Sequence, residues 1–156
     1  ESAKTDLPVK ATFSMKWPEN KHYVDMTMWM GGSPNREVFQ ALSPVNLEYE
    51  RLGDYIPYKV DDQPVLTFVA RQRGEAWTHP FVAVFEPNSK NHSSEISEVT
   101  FFTPTGKDAV GIKVVLKNGR TDYIFSAPEK TKMRWGKIKV NARYAVVSDG
   151  KIIISQ

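Results

Sequence analysis

Ten prolines and nine glycines are scattered along these 156 residues, and between them apolar side chains never recur at helical spacing through successive turns. Frequent backbone breakers leave room only for short elements, and the period of the apolar residues then decides which kind. The clearest segment is His22–Met30. Val24, Met26, Met28 and Met30 fall on one face of an extended chain; Tyr23, Asp25, Thr27 and Trp29 fall on the other. Successive side chains of a strand point to opposite faces, so the methionine row is expected to face a core. The chain reads as all-β.

Other strands follow from the same rule: Val9–Met15, Arg36–Leu42, Val65–Arg71, Phe81–Glu86, Glu95–Thr103, Val110–Lys117, Arg120–Ser126 and Lys151–Ser155, with Met133–Val147 as one or two more. Val65–Arg71 and Phe81–Glu86 are almost continuously apolar and are expected to form a central pair. Gly31–Asn35 is a turn, residues 43–64 are irregular, and Ala127–Lys132 is a linker. Asn118-Gly119 marks a two-residue hairpin loop, which pairs Leu116 with Thr121, Val114 with Tyr123 and Ile112 with Phe125. On that register Val24, Met26, Met28, Leu66, Phe68, Val114, Leu116 and Tyr123 share one core. Asp149-Gly150 turns the chain into its last strand. The expected architecture is a two-sheet antiparallel β-sandwich of about nine or ten strands, with residues 1–156 as a single domain.

The formal net charge is +3, from 21 basic and 18 acidic residues. The excess reads as spread along the chain, which argues against nucleic acid and leaves weak attraction to an acidic polysaccharide. The absence of cysteine removes disulfides and thiolate metal sites. No apolar run approaches the ~20 residues of a membrane span, so no membrane partner is expected. The sequence begins at Glu1 without an initiator Met and is read as a mature protein or an excised piece of a larger one.

The catalytic inventory is thin. His22, His79 and His92 do not stand at metal-ligand spacing, and Asp61 and Asp62 point to opposite faces of an extended chain. Asn91-His92-Ser93 matches a glycosylation sequon but reads as an ordinary surface loop. No catalytic residue, metal ligand or cofactor is assigned. The binding inventory is richer. The bend between Val65–Arg71 and Phe81–Glu86 carries Arg71, Arg73, Trp77 and His79, and Trp29 lies opposite the methionine row. Aromatic faces stack on sugar rings, and guanidinium grips carboxylate or sulfate through two bonds. These five residues form the candidate carbohydrate-binding or interface set. The competing reading packs Trp77 on a satellite core and pairs the arginines with Glu75 or Glu86. Arg134 beside Trp135 offers a weaker version of the same chemistry.

Several segments together resemble the C-terminal region of the heparinase II/III-like polysaccharide lyases, and among them most closely heparinase II. They are Tyr23–Met30, Arg36–Phe39 with Ala41–Pro44, Leu66–Gly74, Pro80–Pro87 and Arg143–Gly150. In that family an α/α toroid precedes one or two β-sandwiches, and toroid and adjacent sandwich hold catalytic Tyr and His residues and a structural metal. Such enzymes abstract the proton α to a uronic carboxylate and eliminate the glycosidic oxygen. This chain is too short to contain the toroid, and none of its residues matches the catalytic motifs. The resemblance therefore implies a non-catalytic C-terminal accessory domain of a periplasmic or secreted bacterial lyase acting on a heparin- or heparan-like acidic glycan. Its implied partners are the catalytic domains of the parent enzyme and acidic polysaccharide. Two rival readings are an autonomous carbohydrate-binding module and a small stand-alone glycan-active enzyme built on His22, His79 and tyrosines.

Overall fold

A computed structural model describes residues 2–4, 6–16, 23–43, 66–75, 78–106 and 108–156. Asp61-Asp62, His22, Trp17, Trp77 and most of the irregular stretch 43–64 lie outside the described residues. Among the described residues there are eleven strands and no helix: β1 (Ser2–Lys4), β2 (Val9–Lys16), β3 (Tyr23–Met30), β4 (Glu37–Leu42), β5 (Leu66–Arg71), β6 (Ala83–Ser89), β7 (Ile96–Phe102), β8 (Val110–Leu116), β9 (Thr121–Trp135), β10 (Ile138–Ser148) and β11 (Lys151–Ser155). All pairings are antiparallel, and the strands divide among three sheets. The all-β, sandwich-like architecture agrees with the sequence.

Two compact units emerge, one from residues 1–6 and 33–73, the other from 7–32 and 74–156. The first contains the sheet β1-β4-β5. Its turn at Ser33 closes through the Arg36 N–H donating to the Ser33 carbonyl at 3.0 Å, with Asn35 at φ 60°. The Arg36 side chain is 1% exposed, and its Nε donates to Gln72 Oε1 at 3.2 Å. Burial lowers its pKa, but a guanidinium keeps its charge throughout the physiological range.

The second unit holds a three-stranded sheet, β2-β3-β6, and a five-stranded meander, β11-β10-β9-β8-β7. β5 therefore pairs with β4, and β6 pairs with β3. The expected central pair of Val65–Arg71 with Phe81–Glu86 is not formed: apolar, β-branched and aromatic character marks each run as a strand without naming its partner, and each pairs with a different neighbour. Pro87 sits in β6, an edge strand, where a missing N–H is tolerated. The methionine row is buried only at one end. Met28 is 5% exposed and Met30 4%, whereas Val24 and Met26 are exposed. The buried end adjoins Gly31, where a Cβ would meet the Phe101 ring at 3.2 Å.

The β8–β9 hairpin differs from expectation by one residue. Val114 opposes Asp122, and Ile112 opposes Ile124. A type I′ loop needs φ > 0 at both central residues, but of Asn118 and Gly119 only Gly119, at +90°, has it. The Gly119 N–H donates to the Leu116 carbonyl and the Leu116 N–H to the Arg120 carbonyl, each at 2.9 Å. The loop is thus Lys117-Asn118-Gly119, a type I turn closed by a left-handed glycine. The Lys117 N–H donates instead to Glu95 at the entry to β7. At Asp149-Gly150 both residues have positive φ, and there the two-residue loop forms as expected.

The slip reassigns the core. Gly111 lies between Phe102 on β7 and Phe125 on β9, and a Cβ on it would clash with the Phe102 ring. The missing side chain lets the two rings meet edge to face, with centroids 5.6 Å apart. Opposite Ala127–Lys130 on β9, β10 places Arg143 alone between its two paired stretches. This bulge, where the sequence suggests a linker, bends the ribbon without ending either strand. The distal half, residues 131–142, folds back over the sheet: Trp135 stacks on Phe102 at 4.3 Å, and the Thr105 N–H donates to the Arg134 carbonyl. The core is Phe102, Ala109, Phe125, Ala127, Met133, Val140, Ala142, Ala145 and Val147, with Tyr123 packed against it. Of the residues expected in one core, Leu66 is exposed, and Leu66 and Phe68 belong to the other unit. Val114 is buried, but on the opposite sheet face from Tyr123.

Candidate functional site

Strand pairing fixes the expected binding residues one by one. On β5, Arg71 lies directly across from Glu37 on β4. Its Nε donates to Glu37 Oε2 at 2.7 Å, a second guanidinium nitrogen lies 2.5 Å from the same oxygen, and the group sits 5.9 Å from the Phe39 ring centroid. Arg71 is thus engaged by an acid that the sequence did not offer, in place of Glu75 or Glu86. Arg73 is exposed. Both arginines belong to the first unit. His79 belongs to the second and is half-buried, with Cδ2 3.5 Å from where a Cβ on Gly74 would lie. The bend closes locally: the Thr78 N–H and hydroxyl both donate to the Glu75 carbonyl, at 3.1 and 2.9 Å. Trp77 lies outside the described residues.

Trp29 on β3 is half-buried and lies across from Lys10 on β2, whose Nζ stands 5.1 Å from the ring centroid. An ammonium over an aromatic face is a favourable contact. It also occupies a face that the sequence offered to a sugar. Glu86 is buried and holds backbone. It accepts from the Glu95 and Ile96 N–H groups at 2.6 and 2.9 Å and from the Ser94 hydroxyl at 2.7 Å. Burial by itself would raise the Glu86 pKa. The bonds from Ile96, Ser94 and Glu95 and the charge of Lys117 outweigh that and lower it. His92 is exposed and makes a local bridge with Ser89.

Six of the 21 basic residues fall in one segment. Lys130, Lys132, Arg134, Lys137, Lys139 and Arg143 follow one another with no carboxylate between them, and all six are exposed. They lie on the β9–β10 ribbon. The signal is present in the sequence, but a linker at Ala127–Lys132 separates Lys130 and Lys132 from the strand that carries Arg134, and the shared face of the other four appears only with the register.

No family model and no solved structure matches the chain. Among curated proteins it is similar to an endo-acting ulvan lyase of Formosa agariphila, with 34% identity over 145 residues. The match covers 89% of this chain and 16% of the lyase. The match is thus to a small part of a much longer polysaccharide lyase, and it does not single out heparinase II.

Proposed function

We propose that this chain is a non-catalytic accessory domain of an exported bacterial polysaccharide lyase, buttressing the catalytic domains and contacting their acidic substrate. The observation that carries the reading is the match itself: nearly the whole chain corresponds to a small fraction of a much longer endo-acting lyase. The family resemblance in the sequence points the same way. The parent acts on an acidic polysaccharide, with ulvan the first substrate to test and heparin the second. Residues 1–156 act together as this accessory region, with the 71–79 bend toward the parent's catalytic domains. The chain is periplasmic or secreted with its parent. No helix among the described residues is long and apolar enough to cross a membrane.

The test is turnover. The isolated chain is expected to release no unsaturated uronate, read by ultraviolet absorbance, from ulvan or heparin. Deleting the matching segment from the ulvan lyase is expected to lower that enzyme's melting temperature. Turnover that tracks the purified chain and disappears with His79→Ala overturns the reading.

A further inference from the structure

The distal β9–β10 ribbon has two unlike faces. Met133 and Val140 lie on the core side. Alternation puts Lys132 and Arg134 of β9 on the other side, and the register brings Asn141 opposite Lys132 and Lys139 opposite Arg134. Like charges directly across a strand pair repel each other, so folding alone favours an acid or a neutral residue at one of the two positions. Arg134 Nε donates to the Gly136 carbonyl at 3.0 Å, which anchors the guanidinium at the ribbon tip. Among the described residues, Lys132, Arg134 and Lys139 make no ion pair.

These three cations line a solvent-open groove of about 380 Å³ with Thr105 and Asn141, and the apolar side chains of Met133, Val140 and Ile152 form the rest of its wall at the edge of the ribbon. Its size lies in the range of small-ligand sites. The groove offers three positive charges, a hydroxyl, a carboxamide and three apolar side chains. That combination suits a chain bearing sulfate or carboxylate groups, hydroxyls and apolar ring edges. A nucleic acid is served less well. Single-strand binders present free aromatic faces for bases, whereas one face of the neighbouring Trp135 is covered by Phe102.

We propose that the outer face of the β9–β10 ribbon, centred on Lys132, Arg134 and Lys139, is a binding site for an anionic polysaccharide. The cations hold its sulfate or carboxylate groups, and Thr105 and Asn141 hold its hydroxyls. The choice of a polysaccharide rests on the accessory-domain reading above; the location rests on the ribbon.

The experiment is affinity electrophoresis and titration calorimetry of the 156-residue chain with dextran sulfate, heparin, ulvan, neutral dextran and a DNA duplex. The anionic polysaccharides are expected to bind, more weakly as salt is added, and neutral dextran is not. The variant Lys132→Ala/Arg134→Ala/Lys139→Ala should weaken binding by about tenfold or more with an unchanged melting temperature. The single variant Lys139→Glu should weaken it in the same direction, and Arg71→Ala/Arg73→Ala should leave it within about twofold. Three results overturn the proposal: no binding to any anionic polysaccharide at low salt, undiminished binding by the triple variant, or DNA binding as tight as that of the polysaccharides. Absence of binding would also remove the substrate contact from the accessory-domain reading, whereas its non-catalytic, buttressing role is judged separately, by turnover and by the melting of the larger lyase.

Discussion

Arg71 and Arg134 both lie on antiparallel strand pairs, but what stands across the strand from each is different. Arg71 faces Glu37 and bonds to it through two nitrogens. Arg134 faces Lys139, and its Nε reaches only the backbone carbonyl of Gly136. In the first case the charge is neutralised inside the fold. In the second, two cations are held side by side and toward solvent. Residue composition ranks the 71–79 bend above the ribbon; strand register reverses the order. A cation's availability to a ligand depends on its cross-strand partner, which composition does not report.

The largest expected effects lie under the ribbon. Phe125 is 0% exposed and meets Phe102 across Gly111, and Met133 is 1% exposed. Phe125→Ala should cost about 3–5 kcal/mol and Met133→Ala about 2–5 kcal/mol in a denaturant melt. Lys132→Ala, one residue from Met133 but on the other face, should change stability by less than about 0.5 kcal/mol. Similar costs at residues 132 and 133 would mean that the ribbon does not have one buried and one open face.

Glu86 tests the assignment of acids to cations. Its oxygens hold the Glu95 and Ile96 N–H groups and the Ser94 hydroxyl, so it belongs to the backbone at the start of β7 and not to Arg71. Glu86→Gln should cost about 1–3 kcal/mol at neutral pH, as expected when a charged acceptor of buried donors is replaced. Its folded pKa is lowered from 4.5, so its contribution is complete above that value and fades as pH falls through the folded pKa. Stability curves of wild type and Glu86→Gln should therefore converge in acid. A gap that widens below pH 4.5 would reverse the sign of the argument.

The exposed pair in the bend is worth less. A double-mutant cycle on Arg71→Ala and Glu37→Ala should return a coupling of about 0.2–1 kcal/mol, reduced by salt. A coupling near zero would mean that Arg71 is as available to a ligand as the ribbon cations are, and the contrast would lose its basis.

Much of the fold can be read from the sequence. Alternation places β2, β3, β4, β8 and β11 within a residue or two of their observed limits, and Asp149-Gly150 forms the expected turn. What alternation cannot supply is pairing. It does not say that β5 joins β4, or that Ala127–Lys130 is a bulge in a continuous strand. At Asn118-Gly119 the turn is legible but its length is not, because the Lys117 N–H is drawn to Glu95 by a contact between distant residues. The ribbon site was lost for the same reason. Its cations come from two strands, and their shared face exists only once the Arg134–Lys139 register is known. Of the 71–79 set, Arg71 meets Phe39 and Glu37, the latter 34 residues away, and neither of these neighbours belongs to the bend.

The smallest expected effect separates the two regions most sharply. Lys139→Glu replaces a repulsive cross-strand pair with an attractive one opposite Arg134, reproducing on the ribbon the arrangement that Glu37 and Arg71 already have in the other unit. The side chain is exposed, so the stability gain should be only about 0.2–1 kcal/mol. Binding of dextran sulfate should weaken, because Arg134 is then neutralised within the fold and a negative charge stands in the groove. Stability and affinity are thus expected to move in opposite directions, a pattern that general damage to the fold does not produce. If stability and affinity both fall, the outer face of the ribbon is held together by contacts other than those described. If stability rises and binding is unaffected, the polysaccharide site does not include residue 139.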